Sequence, residues 1–221
     1  MEEKEYNVLD CCYTVEETEE YLKNVVNNKY TQEQIQQILE ALNLARHAHR
    51  NQRRCDGVPY IIHPMRVALL LLKFDKDTLT QVFIAALLHD TVEKTDVTLS
   101  TIEERFGRYV AKLVHSLTRE HNERQSPQEK TKAKYQNWLE VMSASHDVRM
   151  IRVCEDLDNM ICWRLIPIGS PDREKIPRWL NEAKSMSLQL AGITNLEAYQ
   201  VMRQEYEYYV DRGFVHLAAA R

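Results

Sequence analysis

His63, the adjacent pair His89-Asp90 and an acidic group made of Glu155, Asp156 and Asp158 are the side chains of this sequence best suited to chemistry. Histidine and aspartate side by side at the end of an almost wholly apolar run are unusual, because burying an unpaired ionisable group is costly unless something compensates it. A metal ion is one such compensation. Imidazole and carboxylate ligands together suit manganese, iron or zinc better than calcium. The other reading of the same residues is a helix-capping His63 and a buried, hydrogen-bonded His-Asp pair with no ion.

The elements that must position these groups read as helices. In 221 residues there are 5 Gly and 6 Pro, where average usage gives roughly 15 and 11, so breakers are scarce. Residues 1 to 13 read as a loose acidic lead-in, followed by a short helix around Val15 to Val26; the acidic run Glu16 to Glu20 reads as a solvent face. Thr31 caps a helix running to about His49, with Ile35, Ile38, Leu39, Leu42 and Ala45 on its apolar stripe. Asn51 to Pro59 is a polar loop, and Pro64 suits the first turn of a helix over Met65 to Phe74. A central helix is expected over Asp77 to Val92, then Ser100 to Phe106 and Arg108 to Leu117, parted at Gly107. The charged stretch Arg119 to Lys130 reads as a mobile loop. Helices resume at Thr131 to Met142, Asp147 to Trp163, Asp172 to Leu190 and Asn195 to Val210, with Tyr199, Tyr206, Tyr208 and Tyr209 as a packing cluster in the last. No convincing β-alternation occurs, and the expected fold is all-α.

At about 100° per residue, Met150, Ile151, Cys154, Leu157, Ile161 and Cys162 define one inward face. Asp158 lies on it, Glu155 at its edge and Asp156 nearly opposite. The geometry therefore ranks Glu155 first as a ligand and Asp158 second, with a buried acceptor role as the alternative for Asp158, and leaves Asp156 as a solvated charge. His47 and His49 read as ordinary helix histidines. Arg53, Arg54 and Arg152 could form a phosphate-receiving rim, since guanidinium suits bidentate phosphate contacts.

With 29 basic and 33 acidic side chains the net charge is −4, which gives no electrostatic footprint for nucleic acid or an anionic membrane. The longest apolar runs, Val67 to Leu72 and Val82 to Leu88, are far short of the roughly 20 residues of a bilayer span. No secretory leader is visible at Met1 to Glu5, so a cytoplasmic location is expected. Five cysteines without a CxxC pair read as reduced thiols.

The string Ala48-His49-Arg50-Asn51-Gln52-Arg53-Arg54, continuing through Gly57-Val58-Pro59-Tyr60-Ile61-Ile62-His63-Pro64, resembles the motif AHxxQxR…GxPYxxHP of the HD-superfamily alarmone hydrolases. These are the guanosine tetraphosphate pyrophosphohydrolase domains of the Rel/Spo family, including its small stand-alone members. Ala85 to Thr95 (AALLHDTVEKT) is similar to the family's AALLHDTVEDT; Phe106-Gly107, Leu113-Val114 and Leu117-Thr118 match later stations, and Leu157, Asn159 and Met160 match part of DRLHNM. The resemblance covers roughly Leu44 to Leu165, and an echo at Trp179 to Ala183 extends it.

It implies a single helical HD-type domain over residues 31–221 behind an extension at 1–30, with no room for a synthetase domain. It also implies His63, His89, Asp90 and Glu155 as manganese ligands, and catalytic roles at Glu93 and Lys94, the positions of a Glu-Asp pair that assists the attacking water. Arg54 would pack on a guanine base, and Asn159, Asp158 and Arg53 would contact the nucleotide. The implied reaction is removal of the 3′-pyrophosphate from a guanine nucleotide alarmone. Alternatives are another phosphorylated nucleotide, such as a nicotinamide phosphate, or a sensor that binds without turnover. Three positions depart from the family pattern: Lys94 for the second acid, Glu155 for the motif aspartate and Asp158 for its histidine. The first reverses a charge beside the expected metal, which either weakens water activation or holds a phosphate.

Overall fold

The most apolar stretch of the chain, Thr80–Leu88, sits at the centre of the molecule in the computed structural model, which describes residues 6–11, 13–119 and 126–214. All of its side chains except Gln81 are buried, because neighbouring helices cover it on every side. The helices are α1 (Val15–Lys29), α2 (Gln32–Ala48), α3 (Ile62–Phe74), α4 (Thr80–Leu88), α5 (Thr91–Lys94), α6 (Leu99–Phe106) and α7 (Arg108–Leu117). They are followed by α8 (Pro127–Met142), α9 (His146–Cys162), α10 (Ile176–Glu182), α11 (Leu188–Thr194) and α12 (Leu196–Asp211). No strand occurs among the described residues, in agreement with the all-α expectation.

Helices α2, α3 and α7 pack on α4, and α9 packs on α3, α11 and α12. Side chains such as Leu70, Phe83, Leu87, Ile151 and Leu157 are fully buried, each stabilising the fold by roughly 1.5–3 kcal/mol. Capping boxes at Thr14/Glu17, Thr31/Gln34 and Ser126/Glu129 satisfy the first amides of α1, α2 and α8. No helix of the described residues is long and apolar enough to cross a membrane.

Four expectations are corrected. The lead-in is not loose where it is described: Val8, Cys11 and Tyr13 are buried, Tyr6 stacks on Tyr13 and Tyr21, and Arg66 Nη1 donates to Asp10 O at 2.7 Å. Residues 1–5 and 12 lie outside the described residues. The helix expected through Val92 ends at Leu88. Beyond it the His89 ring takes Ala86 O and the Thr91 hydroxyl takes Leu88 O, and α5 restarts after the His-Asp pair. Of the expected loop, 120–125 lie outside the described residues, while Pro127 onward is already helical behind the Ser126 cap. Finally, the helix expected over Asp172 to Leu190 is broken into a 3-10 turn (Arg173–Lys175), α10, a π-helical stretch (Ala183–Ser187) and α11. Such π-helical stretches concentrate at functional sites, and this one borders a cavity.

A candidate metal centre and its adjoining cavity

Three ligand-bearing side chains converge where α3 and the α4–α5 break meet. His63 lies in the first turn of α3, His89 caps the C-terminus of α4, and Asp90 precedes α5. Their ligand atoms all lie within 4.8 Å of one another, and all three residues are buried. His63 Nε2 is 3.6 Å and His89 Nε2 3.2 Å from Asp90 Oδ2.

The hydrogen bonds on the far side of each imidazole set its tautomer. His89 Nδ1 faces Ala86 O at 2.8 Å, and a carbonyl can only accept, so Nδ1 carries the proton. His63 Nδ1 faces Asp158 Oδ2 at 2.7 Å and donates to it in the same way. Each Nε2 is thereby left with its lone pair aimed at the same carboxylate oxygen, and His89 Nε2 is buried with no hydrogen-bond partner. Three lone-pair atoms facing one another repel unless a cation or an added proton lies among them. Ligand atoms around a small divalent ion at about 2.0–2.2 Å are separated by roughly 3 Å or slightly more, close to the spacings found. The donor set fits a transition metal.

Electrostatics follow the same geometry. Burial pushes the His63 imidazolium down to about 4, and the Arg54 guanidinium pushes the same way, so the ring is neutral. Burial alone would lower His89, but Asp90 outweighs it and raises the group. Asp90, which burial would raise, is held well below the carboxylate range by His89, Lys94 and His63. Its two oxygens also carry two further donors: the Tyr60 hydroxyl reaches Oδ2 at 2.5 Å, and the Lys94 ammonium reaches Oδ1 at 2.5 Å. His49, buried beside them, packs tilted against Tyr60 with ring centroids 4.8 Å apart and contacts Gln52 Oε1 through Nδ1.

Behind His63 lies a fully buried ionic knot. Asp158 receives His63 Nδ1 and Arg54 Nη1 (3.1 Å) on Oδ2 and Arg66 Nε (2.5 Å) on Oδ1. Burial would raise its carboxyl, but Arg66 and Arg54 outweigh that and keep it ionised. Asp158 has no exposed surface and its hydrogen-bond partners are protein donors, which matches the alternative of a buried acceptor.

Glu155 is not among the converging ligand atoms either. It is buried and its Oε2 pairs with Arg152 Nη1 at 2.7 Å, one turn back on α9. Its side chain is one methylene longer than aspartate, and the arginine at i−3 holds the carboxylate to its own helix.

The remaining expected residues divide between a cavity wall and the surface. A cleft of about 380 Å³ opens beside α9, lined by Arg54, Glu155, Asp156, Asn159, Arg152 and Arg119, with Lys134, Asn137 and Trp138 of α8, and Trp163, Trp179 and Ser187. That volume falls within the range of small-molecule sites. Arg54 Nη2 donates to Asn159 Oδ1 at 3.3 Å, so the guanidinium is fixed between Asp158 and Asn159. Arg53 is exposed, donates to Gly57 O at 2.8 Å within its own loop, and does not line the cleft. Glu93 is nearly buried; its Oε2 accepts the Arg119 amide at 2.9 Å and faces Arg119 Nε at 3.6 Å. Lys94 is 32% exposed and, like Glu93, is not among the residues lining the cleft.

Asp156 is not a solvated charge: it is half-buried on the cavity wall. The helical wheel assumed solvent opposite the core, whereas α11 and the π-helical stretch cover that side of α9. Burial raises its carboxyl, Glu155 adds to the rise, and Arg152 and Ser187 oppose it.

Sequence reasoning passed over Tyr60, Arg66 and Arg119. Arg66 left a readable signal, as the single charge inside the apolar stretch Met65 to Leu72, whereas Arg119 left none.

The comparisons with known proteins agree with this architecture. A family description reading "HD domain" matches residues 41–168, more than half of the chain. The chain belongs to the HD domain family. A Mus musculus relative, MESH1, named as a guanosine-3′,5′-bis(diphosphate) 3′-pyrophosphohydrolase, is 34% identical over 174 residues, covering 77% of this chain and 93% of the relative. An Aquifex aeolicus protein named for the same reaction is 50% identical over 84 residues, 38% of this chain but 12% of that protein, so the chain matches a small part of that longer relative. The solved structure of a metazoan ortholog of SpoT, described as hydrolysing ppGpp, aligns with a TM-score of 0.66 at 28% identity over 80% of this chain and 96% of that one. The HD-type helical fold and the motifs from Leu44 to Leu165 are thus borne out.

Proposed function

We propose that this chain is a metal-dependent phosphohydrolase that removes the 3′-pyrophosphate from guanosine 3′,5′-bis(diphosphate), with manganese as the working ion. The observation that carries the reading is the convergence of His63 Nε2, His89 Nε2 and Asp90 on one point, with both imidazoles locked in the ligand tautomer from behind. The name of MESH1, most of whose length this chain matches, supplies the reaction.

His63, His89 and Asp90 would hold the ion, which when bound lowers the pKa of a coordinated water and polarises a phosphoryl oxygen. Asp158 accepts a hydrogen bond from His63 Nδ1, and Ala86 O one from His89 Nδ1, so in each neutral ring Nε2 is the nitrogen left with the lone pair. Glu93, three residues past Asp90 and oriented by the Arg119 amide, offers the carboxylate that takes a proton from the attacking water. Arg54, clamped between Asp158 and Asn159, presents a fixed guanidinium for a base or phosphate. The cleft cations Arg119, Arg152 and Lys134 supply counter-charge to a polyanion. Glu155 would join the ion only by leaving Arg152. A cytoplasmic location belongs to the same reading.

Replacing Asp90 by Ala tests it. The variant should lose manganese and, with it, release of pyrophosphate from guanosine tetraphosphate by a factor of at least about 10². Parental turnover in Asp90→Ala would overturn the assignment. The Lys94–Asp90 contact favours a second reading, a nucleotide-binding sensor that does not turn over; multiple turnovers by the wild-type chain eliminate it, and tight binding with none across several metals supports it.

A further inference from the structure

Lys94 and Asp90 form a charge pairing at the centre that the proposed reaction does not explain. The ammonium touches Asp90 Oδ1 at 2.5 Å and lies 5.4 Å from the centroid of the Tyr60 ring, whose own hydroxyl holds Oδ2. The backbone carbonyl of Lys94 is tied down by Gln52 Nε2 at 2.6 Å, which anchors the end of α5 while the side chain reaches back one turn to Asp90. Asp90 is buried, whereas Lys94 is about one-third exposed.

The charges around the centre are balanced without any ion. Glu155 is matched by Arg152, and Glu93 faces Arg119. The converging group itself, counted with neutral imidazoles, is one carboxylate and one ammonium, with no net charge. A dication entering such a group gains little from its field, and it shares its single carboxylate with a cation already seated there. Lysine is a point charge on a flexible stem, so its partly exposed head can also meet an anion arriving from solvent beside the centre.

We propose that Lys94 is an internal counter-cation that sets the affinity of this centre: it weakens divalent-ion binding by neutralising Asp90, and its partly exposed ammonium is the group that takes an oxygen of a pyrophosphate beside the centre. The proposal rests on reading His63, His89 and Asp90 as the ion site. It makes Lys94 the specificity-determining departure of this chain, trading tight metal binding for an anchor on the phosphate chain.

The test is titration calorimetry on the full chain with manganese alone and with pyrophosphate alone, comparing wild type, Lys94→Gln and Lys94→Arg. Lys94→Gln should bind manganese about tenfold or more tighter and pyrophosphate several-fold weaker. Lys94→Arg, which keeps the charge, should stay near wild type in both titrations. Wild type and Lys94→Gln binding manganese within about twofold of each other overturns the proposal while leaving the ion site standing. Tighter manganese binding with pyrophosphate affinity unchanged overturns the anchoring half. If neither protein takes manganese, the ion-site reading fails and the proposal fails with it. Both variants should keep the wild-type thermal midpoint, since Lys94 is partly exposed on a four-residue helix.

Discussion

Asp158→Asn separates a structural anchor from a ligand contact. The Asp158 carboxylate is fully buried and serves His63, Arg54 and Arg66 at 2.7, 3.1 and 2.5 Å, and the side chains of Arg54 and Arg66 are themselves 6% and 1% exposed. Removing the negative charge strands two buried guanidinium groups, and breaking a buried pair from one side costs about 3–5 kcal/mol. In a chain of this size each kcal/mol lowers the melting temperature by about 2–4 °C, so the expected fall is roughly 6–20 °C. The same change takes away the charged acceptor that fixes the tautomer of His63, and loss of a partner that orients a metal-ligating histidine weakens metal binding about 10- to 100-fold. Calorimetric melting and manganese titration read the two effects on one protein. The double variant Arg66→Met/Asp158→Asn should lose less stability than the sum of the single variants, by about 1–3 kcal/mol, because one of the two stranded charges is gone. A melting temperature within about 2 °C of wild type together with an unchanged manganese affinity would refute the reasoning. Weak manganese binding at full stability would leave the anchor role to His63 alone.

Two further outcomes are expected. Helix α8 contributes only Val141 to the buried core among its described side chains, although Lys134, Asn137 and Trp138 line the cleft. Its central amides should therefore exchange with deuterium at least about a hundredfold faster than those of α3 and α4, and comparable protection in hydrogen-exchange mass spectrometry would show that α8 is locked down. Cys11 is held at about 7 by a hydrogen bond from Cys162, against the effect of burial and with help from Arg164 and Arg66. Its alkylation by iodoacetamide, followed peptide by peptide, should accelerate through pH 7, whereas exposed Cys55, which burial pushes up, responds only above the ordinary thiol range. Cys162→Ala should move the Cys11 midpoint upward, and an unmoved midpoint would refute the pairing.

Much of the fold was legible in the chain because helices announce themselves locally. Thr31 caps α2, Gly107 parts two helices with a backbone φ of 86°, and the apolar stripe of α2 reads directly at helical spacing. His63 and the His89-Asp90 pair stood out by residue type, since a histidine before Pro64 and a His-Asp pair ending an apolar helix are local patterns, but only the family resemblance implied that they act together. The lead-in was misread because its burial comes from packing on distant parts of the chain, while the other three corrections concern helix boundaries. Where a helix stops, as at Leu88 or in the π-helical stretch before α11, depends on side chains competing for carbonyls, and periodicity does not record that competition.

The local sequence determined by itself which residue types are present at the centre and which helices carry them, because capping, amphipathic spacing and the His-Asp pair act within a few residues along the chain. Tertiary structure alone decided what each acidic group does. Asp156 faces a cleft rather than water because α11 lies across α9, and Asp158 serves Arg66 and His63, residues 92 and 95 positions away. Glu155 has its local partner in Arg152, yet only packing buries both and makes that pairing compete with the metal centre. Coulomb energy and desolvation depend on through-space distance and on burial, and neither quantity exists until the helices are packed.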